Sequence, residues 1–90
     1  MKNFFIIELG KNNPNKKSPA YYGGKGKYAN SFGITSKKSD AKMFYTEAAA
    51  LKEICSNDFQ YRLVGANRFH TEIGWLEFNP IVVEYNPREI

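Results

Sequence analysis

The chain has a single cysteine, Cys55, and a single histidine, His70. One cysteine excludes an internal disulfide framework and a cysteine-based metal cage. With one histidine beside it, only scattered carboxylates remain to hold a metal, and none of them is spaced as a calcium loop. No metal and no cofactor is therefore expected. Arginine is scarce too, three residues against ten lysines, which removes most of the planar forks best suited to bases and phosphates. No uninterrupted apolar run, Phe4–Ile7 included, exceeds four residues, far short of the roughly 20 residues of a transmembrane helix. No signal peptide follows Met1. These absences point to a soluble, cytoplasmic protein that does not contact a membrane.

What is present suits one small domain. Ninety residues leave room for a single core, so residues 1–90 are expected to form one α+β domain. Hydrophobic residues at 42% and charged residues at 24% are close to globular norms, which argues against wholesale disorder. Aromatic residues reach 16%, and their large buried areas compensate for the short chain.

Charge divides along the chain. Residues 1–42 hold nine lysines against Glu8 and Asp40, whereas residues 43–90 hold four basic residues against seven acids. A basic front half joined to an acidic rear half suggests an oriented electrostatic contact. The plainer alternative is that scattered lysines keep an aromatic-rich protein in solution.

Apolar patterning gives the elements. Phe4–Ile7 and Leu9, ended by Gly10, read as a strand buried on both faces. Residues 10–18 contain no apolar side chain and read as a loop. Ala20, Tyr21 and Tyr22 enter a Gly23-Gly24-Lys25-Gly26 turn, after which Tyr28, Phe32 and Ile34 alternate with small or polar residues, a hairpin pattern. Thr46 caps a helix over about 46–56, with Ala48, Leu51, Ile54 and Cys55 on its apolar face and Lys52 and Glu53 outward. Asn57-Asp58 reads as a stop. Phe59, Tyr61 and Leu63 then alternate as a strand, followed by a polar segment, a run Ile73–Phe78 and a last strand through Ile81, Val83 and Tyr85. The expected fold is α+β, an antiparallel sheet of about five strands packed against one main helix.

Candidate chemistry can be weighed residue by residue. An endoribonuclease needs a base, an acid and a cation, and Glu72, His70 and Arg68 would share one face if their segment were a strand. A solvated loop holding one histidine is the commoner outcome. Gly23–Lys27 invites comparison with a phosphate-binding loop, but the required earlier glycine is Tyr21 or Pro19 and the required Ser or Thr is Tyr28 or Gly26. The nucleotide reading fails in both registers.

The segment from Lys11 to Lys42 remains. Lysines neutralise phosphates or acidic side chains, and exposed tyrosines anchor contacts at low entropic cost. The candidate contact residues are Lys16, Lys17, Tyr21, Tyr22, Lys25, Lys27, Tyr28, Lys37 and Lys38. Burial of Tyr21, Tyr28 and Phe32 would dissolve much of the case.

The stretch Asp40–Ile54, followed by the strand expected from Phe59, resembles a pattern in many small phage-encoded accessory proteins: an Ala-Lys-x-Phe segment, a Thr- or Ser-capped helix, then another strand. The resemblance covers residues 40–64 and carries no catalytic motif. Such proteins, anti-CRISPR proteins among them, bind and disable host or defence machinery. The resemblance implies a non-enzymatic inhibitor that occludes a surface on a host or defence protein, or on a protein–nucleic acid complex, through the basic, Tyr-rich hairpin. A nucleic-acid-binding domain using the same segment is the alternative, with a small ribonuclease using His70 behind it. An unpaired edge strand would allow a homodimer in place of a monomer.

Overall fold

The computed structural model describes residues 3–10, 20–26, 32–72 and 78–87, with Gly10, His70 and Thr71 described by their backbone alone. Four strands, β1 (Phe4–Gly10), β2 (Ala20–Lys25), β3 (Phe32–Thr35) and β4 (Ile81–Tyr85), form an antiparallel sheet in the order β3-β2-β1-β4. A short 3-10 turn (Lys38–Asp40) follows β3, and two helices, α1 (Glu47–Ile54) and α2 (Asn57–Glu72), precede β4. The class is α+β, as the patterning implies.

β1 is the central apolar strand expected from its run. Ile6, Ile7 and Leu9 have no exposed surface, with Ile7 and Leu9 on one face and Ile6 on the other. The first face carries the main core, where Tyr22, Phe32, Phe59 and Phe78 interlock. Ring centroids lie 5.1 Å apart for Tyr22 and Phe59, 4.8 Å for Phe32 and Phe59, and 6.5 Å for Phe32 and Phe78. On the opposite face Ile6 packs with Tyr21 and Ala41, flanked by Met43, Val83 and Tyr85. The segment leading to α1 ties the sheet together: Lys42 N–H donates to the Tyr22 carbonyl, and Phe44 exchanges two 2.8 Å bonds with Phe5.

The sequence expectation needs correction in four places. Gly23 and Gly24 do not form the hairpin tip, because β2 runs through them and pairs Lys25 with Phe32. The register slips between Tyr22 and Lys25, and Gly24 takes φ +104° there. An L side chain rarely adopts that conformation, and glycine accepts it freely.

The second correction concerns helices. Among the described residues there are two, and α2 occupies the residues expected to form a strand from Phe59. Alternation of Phe59, Tyr61 and Leu63 is too short to separate period two from helical spacing, since Phe59, Leu63 and Ala66 also recur as one helical face. That face meets the core, whereas Tyr61 is 63% exposed. Ser56 sets the joint: its hydroxyl donates to the Glu53 carbonyl and accepts from the Phe59 N–H, so one side chain closes α1 and opens α2. Asn57-Asp58 is therefore a helix start, with Asp58 at the positive end of the helix dipole. The strand that completes the phage-protein pattern is a helix in this chain.

Third, the inward face of α1 differs from the expected one. Thr46 does cap it, accepting from the Ala49 N–H at 3.0 Å, a contact worth about 1 kcal/mol. Yet Ala50 is the buried residue and Leu51 is 46% exposed. Cys55 lies just past the last turn and is exposed, so it is not a core residue.

Fourth, the sheet has four strands among the described residues. Residues 73–77 of the expected Ile73–Phe78 strand, Trp75 included, lie outside them, and Phe78 is buried without belonging to a strand.

Candidate binding surface

β2 decides the fate of the tyrosines. As an interior strand with both faces covered, it sends Tyr22 into the main core and Tyr21 into the opposite cluster, leaving them 1% and 5% exposed. Phe32 is buried too, at 7%. Tyr21 and Tyr22 are thus structural residues and not contact anchors. Lys16, Lys17, Lys27 and Tyr28 lie outside the described residues.

Backbone topology divides the candidates further. Gly10 pairs with Ala20 and Tyr21 with Thr35, so the strand ends flanking residues 11–19 share a sheet end with the exit of β3. The strand ends flanking residues 27–31, Lys25 and Phe32, lie at the other end.

One basic candidate, Lys25, pairs with an acid of the rear half, as does Lys42. Glu53 Oε2 accepts from the Tyr22 hydroxyl at 2.8 Å and from Lys42 Nζ at 3.1 Å. Glu53 therefore leans over the sheet instead of pointing outward. Asp58 Oδ2 takes Arg62 Nε at 3.0 Å and Lys25 Nζ at 3.7 Å. The charge asymmetry of the sequence is partly consumed inside the fold.

The Glu53 carboxyl is pulled in two directions. Burial raises its pKa, but the Tyr22 hydroxyl and the hydrogen bond and charge of Lys42 outweigh it, and the net displacement is downward. The Tyr22 hydroxyl moves the other way, pushed up by burial and then by the bond to Glu53. A carboxyl depressed on folding contributes stability that is present above its unfolded pKa, about 4.3, and lost as pH falls through the folded value. The melting temperature should therefore drop on acidification below about pH 4.5 in the parent and drop less in Glu53→Gln. Thermal melts followed by circular dichroism across that range check it, and equal acid slopes would assign the loss to other carboxylates.

Lys37 and Lys38 differ from Lys25 and Lys42. Both are exposed, and among the described residues neither forms an ion pair. Their turn is held by local bonds: Thr35 Oγ1 accepts from Lys37 N–H, and the carbonyls of Lys37 and Lys38 accept from Asp40 and Ala41. The Lys42 bond to Tyr22 then fastens its far side to β2. Two cations sit on a braced turn.

No protein-family model, curated protein or solved structure matches the chain. The site is read from its residues alone.

The three residues considered for ribonuclease chemistry do not share a face. Their backbone belongs to α2, where Arg68 and Glu72 stand four positions apart and align, and position 70 is about 200° round from position 68. Among the described residues no group of three or more His, Cys, Asp or Glu is placed to hold a metal, and no helix is long and apolar enough to cross a membrane.

Sequence reasoning missed the outer face of α2. Tyr61, Val64 and Phe69 are 63%, 61% and 59% exposed. Spacing of three and four residues through Tyr61, Val64, Gly65 and Arg68 is the signal that could have revealed it.

Proposed function

We propose that the chain is a non-enzymatic binding protein that inhibits a host or defence macromolecule by covering an acidic functional surface. The observation supporting this reading is the braced turn bearing Lys37 and Lys38. The fold neutralises Lys25 and Lys42 with Asp58 and Glu53 but leaves this pair exposed. Exposed cations on a fixed turn, without an ion pair among the described residues, raise association rates and select acidic partners without ordering a loop at the moment of contact. The inhibitory role rests on the capped-helix pattern of residues 40–54, and the electrostatic role on the turn.

Affinity capture from host lysate, with and without nuclease, tests the proposal. A protein should be retained after nuclease treatment, released by salt, and lost when Lys37→Glu and Lys38→Glu are combined. Thermal stability should stay within about 0.5 kcal/mol, because both sites are exposed and away from the core. Capture abolished by nuclease would transfer the turn to nucleic-acid binding. Capture unchanged by the double reversal would remove the turn from the contact.

A further inference from the structure

β3 closes one side of the sheet, with β2 alone beside it among the described residues. Alternate residues of a strand turn their N–H and carbonyl to alternate sides. Two observations fix the phase of β3. The Tyr22 carbonyl accepts from Lys42, whose segment pairs with β1 through Phe44 and Phe5. Tyr22 thus turns toward β1, and its partner Ile34 turns away from β2. The Gly33 carbonyl oxygen, by contrast, stands 3.2 Å from the Cβ position of Gly23 and faces β2. Ile34, and Phe32 two residues before it, therefore present their backbone groups outward. Among the described residues no backbone hydrogen bond reaches that outer side, and the Ile34 side chain is 40% exposed.

Such an edge is a template for a further strand, and proteins blunt their edges with charge, proline or a covering segment. β4, at the other side of the sheet, is bounded by Pro80 and Pro87 and carries the exposed Glu84. β3 itself has Gly33 and Ile34 at its middle, and its lysines lie beyond its end.

We infer that the acidic partner is engaged through an extended segment that adds to β3 as an outer antiparallel strand, its carboxylates on Lys37 and Lys38. This rests on the binding reading and names the form the partner takes. Charge argues for that occupant. Lys37 and Lys38 follow β3 after one residue, exposed and without an ion pair among the described residues. Asp40, the acid of the same turn, sits back over β2, its carbonyl oxygen 3.9 Å from the Cβ position of Gly23. An antiparallel strand beside β3 begins where β3 ends, so the partner's acidic residues precede its hydrogen-bonded stretch. Backbone bonds supply affinity, and the carboxylates with an apolar side chain opposite Ile34 supply selection. The same acidic segment would meet Glu84 at the β4 edge and be repelled.

Nuclear magnetic resonance on the full chain tests this with a defined probe, the acetylated peptide Glu-Glu-Ser-Val-Thr-Val-Thr. In the free protein the Ile34 amide should exchange with solvent at least about tenfold faster than that of Thr35, which faces Tyr21. Saturating peptide should slow Ile34 exchange by about tenfold or more. Of two N-methylated versions that block alternate residues, the one whose blocked donors face β3 should bind at least about tenfold more weakly, with every side chain kept. Replacing both peptide glutamates with lysine should weaken binding as much. An Ile34 amide already protected in the free protein would overturn the inference, as would N-methylated peptides that both bind like the parent. Lysate capture that needs Lys37 and Lys38, with no peptide bound, would overturn strand addition and keep the binding reading. Peptide bound along Ile34, with no lysate protein retained, would support the strand site and remove the inhibitory reading.

Discussion

Replacing Phe59 with alanine should lower the unfolding free energy by about 3–5 kcal/mol, the range for removing a fully buried aromatic ring. Phe59 is 1% exposed and touches both Tyr22 and Phe32, so its loss empties the point where α2, β2 and β3 meet. A domain of this size has about 5–15 kcal/mol in total, and the variant should unfold at markedly lower urea. Tyr61→Ala, two residues further along, should change stability by no more than about 0.5 kcal/mol because that side chain is largely exposed. The contrast separates helix from strand at this segment. A strand would bury Phe59, Tyr61 and Leu63 together, and alanine at each would then be costly. Urea titrations of the two variants decide between them, and equal large losses would count against α2.

Gly24→Val should lose about 2–3 kcal/mol, although no atom lies within 4 Å of the position a Cβ would take. The cost is conformational. At φ +104° an L residue is strained, and a β-branched one more so. Relief would require β2 to change its register against β3, moving Tyr22 and Lys25 from Ile34 and Phe32. Gly23 is tight for a different reason: an added Cβ would stand 3.2 Å from the Gly33 carbonyl oxygen on the neighbouring strand. Equilibrium unfolding of Gly24→Val measures the strain, and parent-like stability would show that β2 accommodates a side chain without it.

These two positions show where the sequence was legible. β1 and β4 were readable because long-range patterning and local propensity agree there. β1 is a short β-branched and aromatic run closed by glycine, and β4 alternates between Ile81 and Tyr85. The start of α1 was readable because Thr46 caps it through a local bond. The glycines were read as a tip because composition records that φ is permissive but not which strand residue needs it. α2 was misread because five residues cannot distinguish two periods, and the deciding contact, Ser56 to Phe59, depends on where α1 stops. The contact surface was harder still. Whether a tyrosine in a strand is an anchor or a core ring depends on what covers that strand.

By itself the sequence determined the α+β class, the central apolar strand and the capped helix. Each follows from short-range spacing or from which side chains are present. Only the tertiary structure decided which charges are available to a partner. Burial and ion pairing are set by residues distant in the chain: Glu53 reaches Tyr22 and Lys42, and Asp58 reaches Lys25. A lysine's sign is written in the sequence, but whether its charge faces a partner or an internal carboxylate is fixed when the two halves of the chain fold against each other.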